Sequence, residues 1–208
     1  MSGVAEHPRL GERLDRSFYR RDSLEVAPQL LNKVLAHGAV AGRIVEVEAY
    51  RGEADRASHA FGGRTARNAT MFGPPGHLYV YFTYGMHFCA NVVCGEEGEA
   101  MAVLLRALAP LAGLEEMRRR RGSTRAAHDL CSGPAKLCQA LGIDRRLDGA
   151  DLVASDGPVA LLDDGTPPPE AIAVGPRVGL SRRAGESAAL PWRFALRGEP
   201  CVSRPAPA

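Results

Sequence analysis

Hydrophobic positions along this chain fall into short blocks separated by Gly- and Pro-rich breaks. The first clear block has helical spacing. Leu24, Ala27, Leu30 and Leu31 recur on one face, Ser23 is a suitable cap, and Pro28 limits the regularity of the turn. Asn32 tolerates a left-handed stop, and residues 33–36 read as a short strand. After a turn over residues 37–42 the chain predicts a central strand, Arg43-Ile44-Val45-Glu46-Val47-Glu48-Ala49-Tyr50. Strict alternation would place Val45 and Val47 on one face and Ile44, Glu46, Glu48 and Tyr50 on the other. Residues 52–76 form a long Gly- and Arg-rich loop, which in a compact domain marks function or disorder.

Residues 78–83 and 87–93 predict a hairpin turning at Tyr84-Gly85-Met86. Leu78, Val80 and Phe82 share one of its faces, Tyr79 and Tyr81 the other, and Tyr84 projects from the tip. Residues 102–108 predict a buried strand broken by one charge, Arg106, followed by a helix over residues 111–121. A second helix starts at Pro134 and ends at Gly142. Short strands are expected at 159–162, 171–174 and 192–196, with residues 1–21 a loose arm and 203–208 frayed. The pattern predicts an α+β fold, one domain spanning 1–208, with mainly antiparallel strands joined through hairpins.

Composition narrows this little. A 208-residue chain suits one domain with a full core, and 45% apolar with 24% charged residues is ordinary for a globular protein. The net charge of +2 permits a nucleic-acid partner without arguing for one. Five cysteines lack C-x-x-C spacing and read as reduced, buried thiols, so neither a zinc site nor a disulfide framework is expected. No signal peptide opens the chain, and its most apolar stretch contains Arg106 and Pro110. A cytoplasmic protein with no membrane span is therefore expected.

The candidate chemistry gathers between residues 42 and 106. Glu48, at a strand end, could act as a general base on water, with Arg106 keeping it ionised; the same pair could equally be a structural bridge between strands. Tyr50 and Tyr81 could wall a slot for a flat ring, with His59 at the ring's edge; ordinary sheet packing explains such tyrosines as well. Tyr84 suits a wedge entering a duplex where a base has been extruded. Lys136, beside a helix start, suits a phosphate, although a well-capped helix needs no ligand.

Several motifs in order resemble the alkyladenine (3-methyladenine) DNA glycosylase family. They are Val45 to Tyr50, Ser58-His59, Gly62-Gly63-Arg64-Thr65, Arg67-Asn68, Pro75 to Tyr81, Tyr84 to Cys89, Val103 to Leu108, Leu130 to Leu141 and Arg177-Val178-Gly179. The match runs from about Ser23 to Gly198 and thins over residues 144–171. The resemblance implies a strongly curved sheet flanked by helices, with the hairpin protruding. It implies a monofunctional enzyme of base excision repair that flips damaged purines from double-stranded DNA and hydrolyses the N-glycosidic bond, leaving an abasic site. Glu48 would activate water, positioned with Arg106 and the main-chain carbonyl of Val178. Tyr50 and Tyr81 would sandwich the base, with His59 at its edge and Asn91 excluding the 2-amino group of guanine. Tyr84 would be the DNA wedge and Lys136 a phosphate contact. No metal or cofactor is implied, and a monomer in the bacterial cytosol is expected. A bifunctional lyase would need an amine in the slot, and the only lysines are Lys33 and Lys136. Two rival readings are a glycosidase using Glu46 and Glu48 as a carboxylate pair, and a non-catalytic reader of distorted DNA.

Overall fold

A long antiparallel sheet forms the frame. The computed structural model describes residues 10–83, 85–122 and 126–203. Nine strands are assigned among them: β1 (Glu12–Arg13), β2 (Val34–His37), β3 (Val40–Arg51), β4 (Leu78–Thr83), β5 (His87–Cys94), β6 (Met101–Ala112), β7 (Val159–Asp163), β8 (Ile172–Gly175) and β9 (Arg193–Leu196). The order is β1-β7-β2-β3-β6-β5-β4, with β9 on β3 and β8 on β9. Every pairing between these strands is antiparallel. The sheet curls into a half-barrel, and the α+β, single-domain expectation holds.

Strand β3 is the hub. Along one edge it pairs with β6 for nearly its whole length, and the other edge is shared by β2 and then β9. Four helices are α1 (Arg16–Tyr19), α2 (Ser23–Leu30), α3 (Leu114–Arg121) and α4 (Pro134–Leu141). The main core lies between one sheet face and the last three of these. It joins Ile44, Val47, Ala49, Val80, Val92, Val103 and Leu105 to Val26, Leu30, Met117, Leu137 and Leu141. The opposite face is left for a cavity.

The alternation expected for β3 fails at one point. Two one-residue register shifts face each other, with Val45 extra on β3 and Arg106 extra on β6. Each bulge puts two successive side chains on one side of the sheet. Ile44 therefore joins Val47 and Ala49 in the main core, while Val45 packs with Ala107 and Cys201. Glu46, Glu48 and Tyr50 keep the shared side expected for them.

Other boundaries differ for local reasons. Strand β6 runs on past Pro110 through Leu111 and Ala112, the first two residues of the expected helix. Gly113 stops it in the left-handed region, φ 73°, and Ala39 and Val40 crowd the place a Cβ would fill, so α3 starts at Leu114. Asp22, rather than Ser23, caps α2, its carboxylate accepting from Leu24 N–H at 2.9 Å. Asn32 is left-handed as expected, φ 70°.

The described part of the supposed loose arm is a strap. Tyr19 is fully buried, and Arg13 donates to the carbonyls of Leu152, Gly157 and Val159 at 3.0, 2.8 and 2.9 Å. Charge-assisted bonds to buried carbonyls are worth more than neutral ones. Arg13→Ala should therefore lower unfolding stability by about 2–3 kcal/mol, read from urea melts at constant slope; a wild-type midpoint would mean that the strap is loose after all.

Candidate active site

The two bulges bring a charged cluster inside the sheet. Arg106 is buried and uses three of its nitrogens. Its Nε donates to Glu46 Oε1 at 2.8 Å, one terminal nitrogen reaches Glu48 Oε1 at 3.1 Å, and the other donates to Ser203 Oγ at 3.0 Å. Glu46 also accepts from Arg193 Nε at 2.7 Å and from Ser203 N–H at 2.7 Å. Burial pushes Glu46 up, but Arg106 and Ser203 outweigh it and hold the carboxyl below its ordinary value. Glu46 is an ionised anchor bonded at both oxygens.

Glu48 is balanced differently. Its Oε1 accepts from Val178 N–H at 2.8 Å and its Oε2 from the Tyr50 hydroxyl at 2.9 Å. Burial raises its pKa above the ordinary 4.5, opposed by Arg106, Val178 and Tyr50 in that order. The sequence put this residue at a strand end as a candidate base on water. It is fully buried, one layer behind the cavity wall, because three donors draw it inward.

That wall belongs to a cavity of about 400 Å³. The volume suits a small flat ligand. Tyr50, His59, Tyr81, Asn91, Arg106 and Val178, all picked from the sequence, line it together. Met71, Tyr79, Cys89, Leu104, Pro134 and Ser181 add to the lining. Alternation in β4 sends Tyr79 and Tyr81 to this side, their rings 5.5 Å apart and stacked. The His59 ring meets Tyr81 edge-on at 4.4 Å, and its Nδ1 lies 3.1 Å from the Tyr79 hydroxyl. Desolvation at the cavity mouth, then the charge of Arg67, hold His59 below 6.5, although its outer edge meets solvent. Its imidazole is thus neutral near pH 7, with one nitrogen able to donate and one to accept. Asn91 is buried and donates to the Tyr79 carbonyl at 3.2 Å.

Two expected residues stand apart. Lys136 is not in the lining; it lies in the first turn of α4 and donates to Ser132 Oγ at 2.9 Å, while Pro134 of the same turn reaches the cavity. Tyr84, the expected wedge, lies outside the described residues. Its neighbours at the hairpin end are open to solvent, with Phe82 47% and Met86 70% exposed.

Sequence reasoning assigned no role to the support behind Tyr50. Arg177 is buried and forked onto Asp55, with its terminal nitrogens also donating to the Ala49 and Ser187 carbonyls at 3.0 Å each. Its guanidinium lies over the Tyr50 ring at 4.6 Å and the Trp192 ring at 4.9 Å. Such desolvated cation–π contacts contribute up to about 2 kcal/mol. The wall that Tyr50 offers the cavity is therefore backed by a fixed cation. Neither periodicity nor motif spacing marks Asp55 or Trp192; the Arg177-Val178-Gly179 motif was the one available signal.

Among the described residues no helix is long and apolar enough to cross a membrane. The family model for methylpurine-DNA glycosylase matches residues 17–200. A Burkholderia lata protein described as "Putative 3-methyladenine DNA glycosylase" is 55% identical over 196 residues, covering 94% of this chain and 93% of its own length. A Burkholderia cenocepacia protein with the same description is 54% identical, covering 95% and 94%. A third, from Streptomyces avermitilis, is 51% identical, covering 91% and 90%. With a match across nearly all of its length and a polar, aromatic cavity built on the matched residues, the chain belongs to the methylpurine-DNA glycosylase family.

Proposed function

We propose that this chain is a monofunctional DNA glycosylase that takes an alkylated purine of the 3-methyladenine class, extruded from double-stranded DNA, into the cavity and hydrolyses its N-glycosidic bond with a water activated by Glu48. The observation that carries the reading is the seating of a buried, raised-pKa carboxylate directly behind an aromatic cavity, held by three residues of its wall. Tyr50 and Tyr81 clamp the ring between them. His59 serves its edge as donor or acceptor, and Asn91 fills the space that a purine 2-amino group needs. The extruded base is read by stacking and edge contacts, as in other enzymes that act on flipped bases.

The chemistry follows from charge. As the bond to the base lengthens, positive charge grows on the sugar. The ionised Glu48 stabilises that charge and accepts the proton of the attacking water, while Arg106 and the Val178 main chain hold the carboxylate and the water in place. The base leaves with the bonding electrons. An alkylated purine already departs readily, so one carboxylate suffices and choice rests largely on which base fits. Tyr84 fills the gap in the stack, and Lys136, which does not line the cavity, takes a backbone phosphate. The working form is a monomer in the bacterial cytosol.

The rival carboxylate-pair mechanism finds little support, since Arg106, Arg193 and Ser203 bind Glu46 and its carboxyl is held below its ordinary value, the wrong direction for the proton donor such a pair needs. A Schiff-base lyase finds none in the lysines. Lys33 pairs with Asp163 at 2.7 Å and Lys136 with Ser132, and neither lines the cavity. Borohydride added during turnover on abasic or damaged DNA should trap no covalent adduct; a trapped band would establish amine chemistry.

Glu48→Gln should slow base release by about 10²–10⁴-fold while leaving affinity for lesion-bearing duplex nearly unchanged. Single-turnover release with a gel-shift control checks it, and wild-type turnover in the variant would remove Glu48 from the reaction. Asn91→Ser opens the space beside the Tyr79 carbonyl and should raise release of undamaged guanine relative to 3-methyladenine. Unchanged discrimination on a panel of duplexes would assign selection to other residues.

A further inference from the structure

The buried general base raises a question of access. Oε1 of Glu48 is taken by Val178 N–H and Arg106, both fixed by main chain or by the ion network. Oε2 is held by the Tyr50 hydroxyl at 2.9 Å. Tyr50 is also a cavity wall, so water reaching Oε2 from the cavity passes the phenol.

We propose that the Tyr50 hydroxyl is a positioning donor for Glu48, holding Oε2 ionised and aimed at the site of water attack, in addition to the ring's part in holding the base. This rests on the hydrolytic reading above. The water gives its proton to the Glu48 carboxylate as its oxygen bonds the sugar carbon. The glycosidic bond breaks with its electron pair leaving on the base, and the phenol stays protonated throughout. Burial, then Glu48 itself, push Tyr50 well above 10, so it remains a donor at every working pH. The same side chain that senses a seated ring thus also sets the carboxylate that acts on it.

Other groups around Glu48 do not replace this bond. Arg106 reaches it from β6 but spends its other nitrogens on Glu46 and Ser203. Arg193, opposite Glu48 on β9, turns its Nε to Glu46. Glu46 on β3, Tyr81 on β4 and Cys89 on β5 sit close enough to interact through charge, and none of them donates a hydrogen bond to Glu48. Arg177 stacks on the Tyr50 ring and points its charge at Asp55.

The test is the pH profile of single-turnover base release at saturating enzyme, on a duplex carrying 3-methyladenine, whose methylated ring holds its charge without an added proton. Glu48 must be ionised to act, so activity rises with pH through an acid limb above the ordinary 4.5. Tyr50→Phe keeps the wall and removes one hydrogen bond to the charged form. That limb should move up by about one unit, a roughly tenfold loss below it that lessens as pH rises. A fluorinated tyrosine at position 50, a stronger donor, should move the limb down, and it decides the matter if the phenylalanine variant does not fold. A limb that stays put in the folded variant overturns the positioning role, whether or not the plateau falls. Wild-type turnover in Glu48→Gln would instead overturn the hydrolytic reading itself, independently of Tyr50.

Discussion

The structure depends on one guanidinium held between two carboxylates inside a sheet. Arg106 is buried beside Glu46 and Glu48, and neither glutamate is exposed at all. Burying three charges is expensive, and removing any one partner from such a cluster costs about 3–5 kcal/mol by stranding the others. The arrangement persists because the fold supplies more donors than the pair alone needs. Arg193 and Ser203 complete Glu46, and Val178 and Tyr50 complete Glu48. The two carboxylates end in opposite states of readiness. Glu46, bonded by cations and main chain, is pulled down; Glu48 is pushed up and bonded by three residues of the cavity wall. Identical residues two positions apart on one strand thereby become an anchor and the proposed base.

Geometry for this comes from paired irregularities. A regular β3–β6 ladder would give Arg106 one register neighbour on β3. The opposed bulges at Val45 and Arg106 let it span both glutamates while Ile44 and Leu108 stay in the main core. Bulges beside active sites commonly re-aim side chains in this way. The rest of the site is stiffened from behind. Asp55 fixes Arg177, Arg177 lies between Tyr50 and Trp192, and Tyr50 holds Glu48. A change at Asp55, outside the cavity lining, thus bears on the base through three successive contacts.

Much of this was legible from sequence because it rests on period. Alternation in residues 78–83 placed Tyr79 and Tyr81 opposite Leu78 and Val80, and the structure agrees. The lone charge in the apolar run at 102–108 marked Arg106, and motif resemblance marked His59, Asn91 and Val178. The failures share a cause. Bulges leave no periodic trace, so Ile44 was assigned the wrong face. Pro110 reads as a breaker, yet it sits in β6 where the pairing with β3 is irregular and tolerates its missing N–H. Arg13 looks like any exposed cation until the chain returns at residues 152–159 to offer three carbonyls. Contacts between residues more than a hundred positions apart cannot be read from local pattern, and the depth of Glu48 is one of these.

That depth has a chemical consequence. A carboxylate in water is ionised at neutral pH but is a weak base, whereas one stripped of all partners in a protein interior is a strong base that stays protonated. Glu48 lies between these limits. Burial strengthens it, and Arg106, Val178 N–H and the Tyr50 hydroxyl keep the charge on it. Each of those donors also lines the cavity, so the balance of the base and the shape of the cavity are set by the same side chains and cannot drift independently. In the proposed reaction, a base tuned this moderately would suit a leaving group that is already unstable and do little for a normal purine that fits the same slot. Under the proposed reaction, discrimination would have two sources in one structure: Asn91 and the tyrosine walls acting on shape, and the restrained basicity of Glu48 acting on the ease of bond breaking.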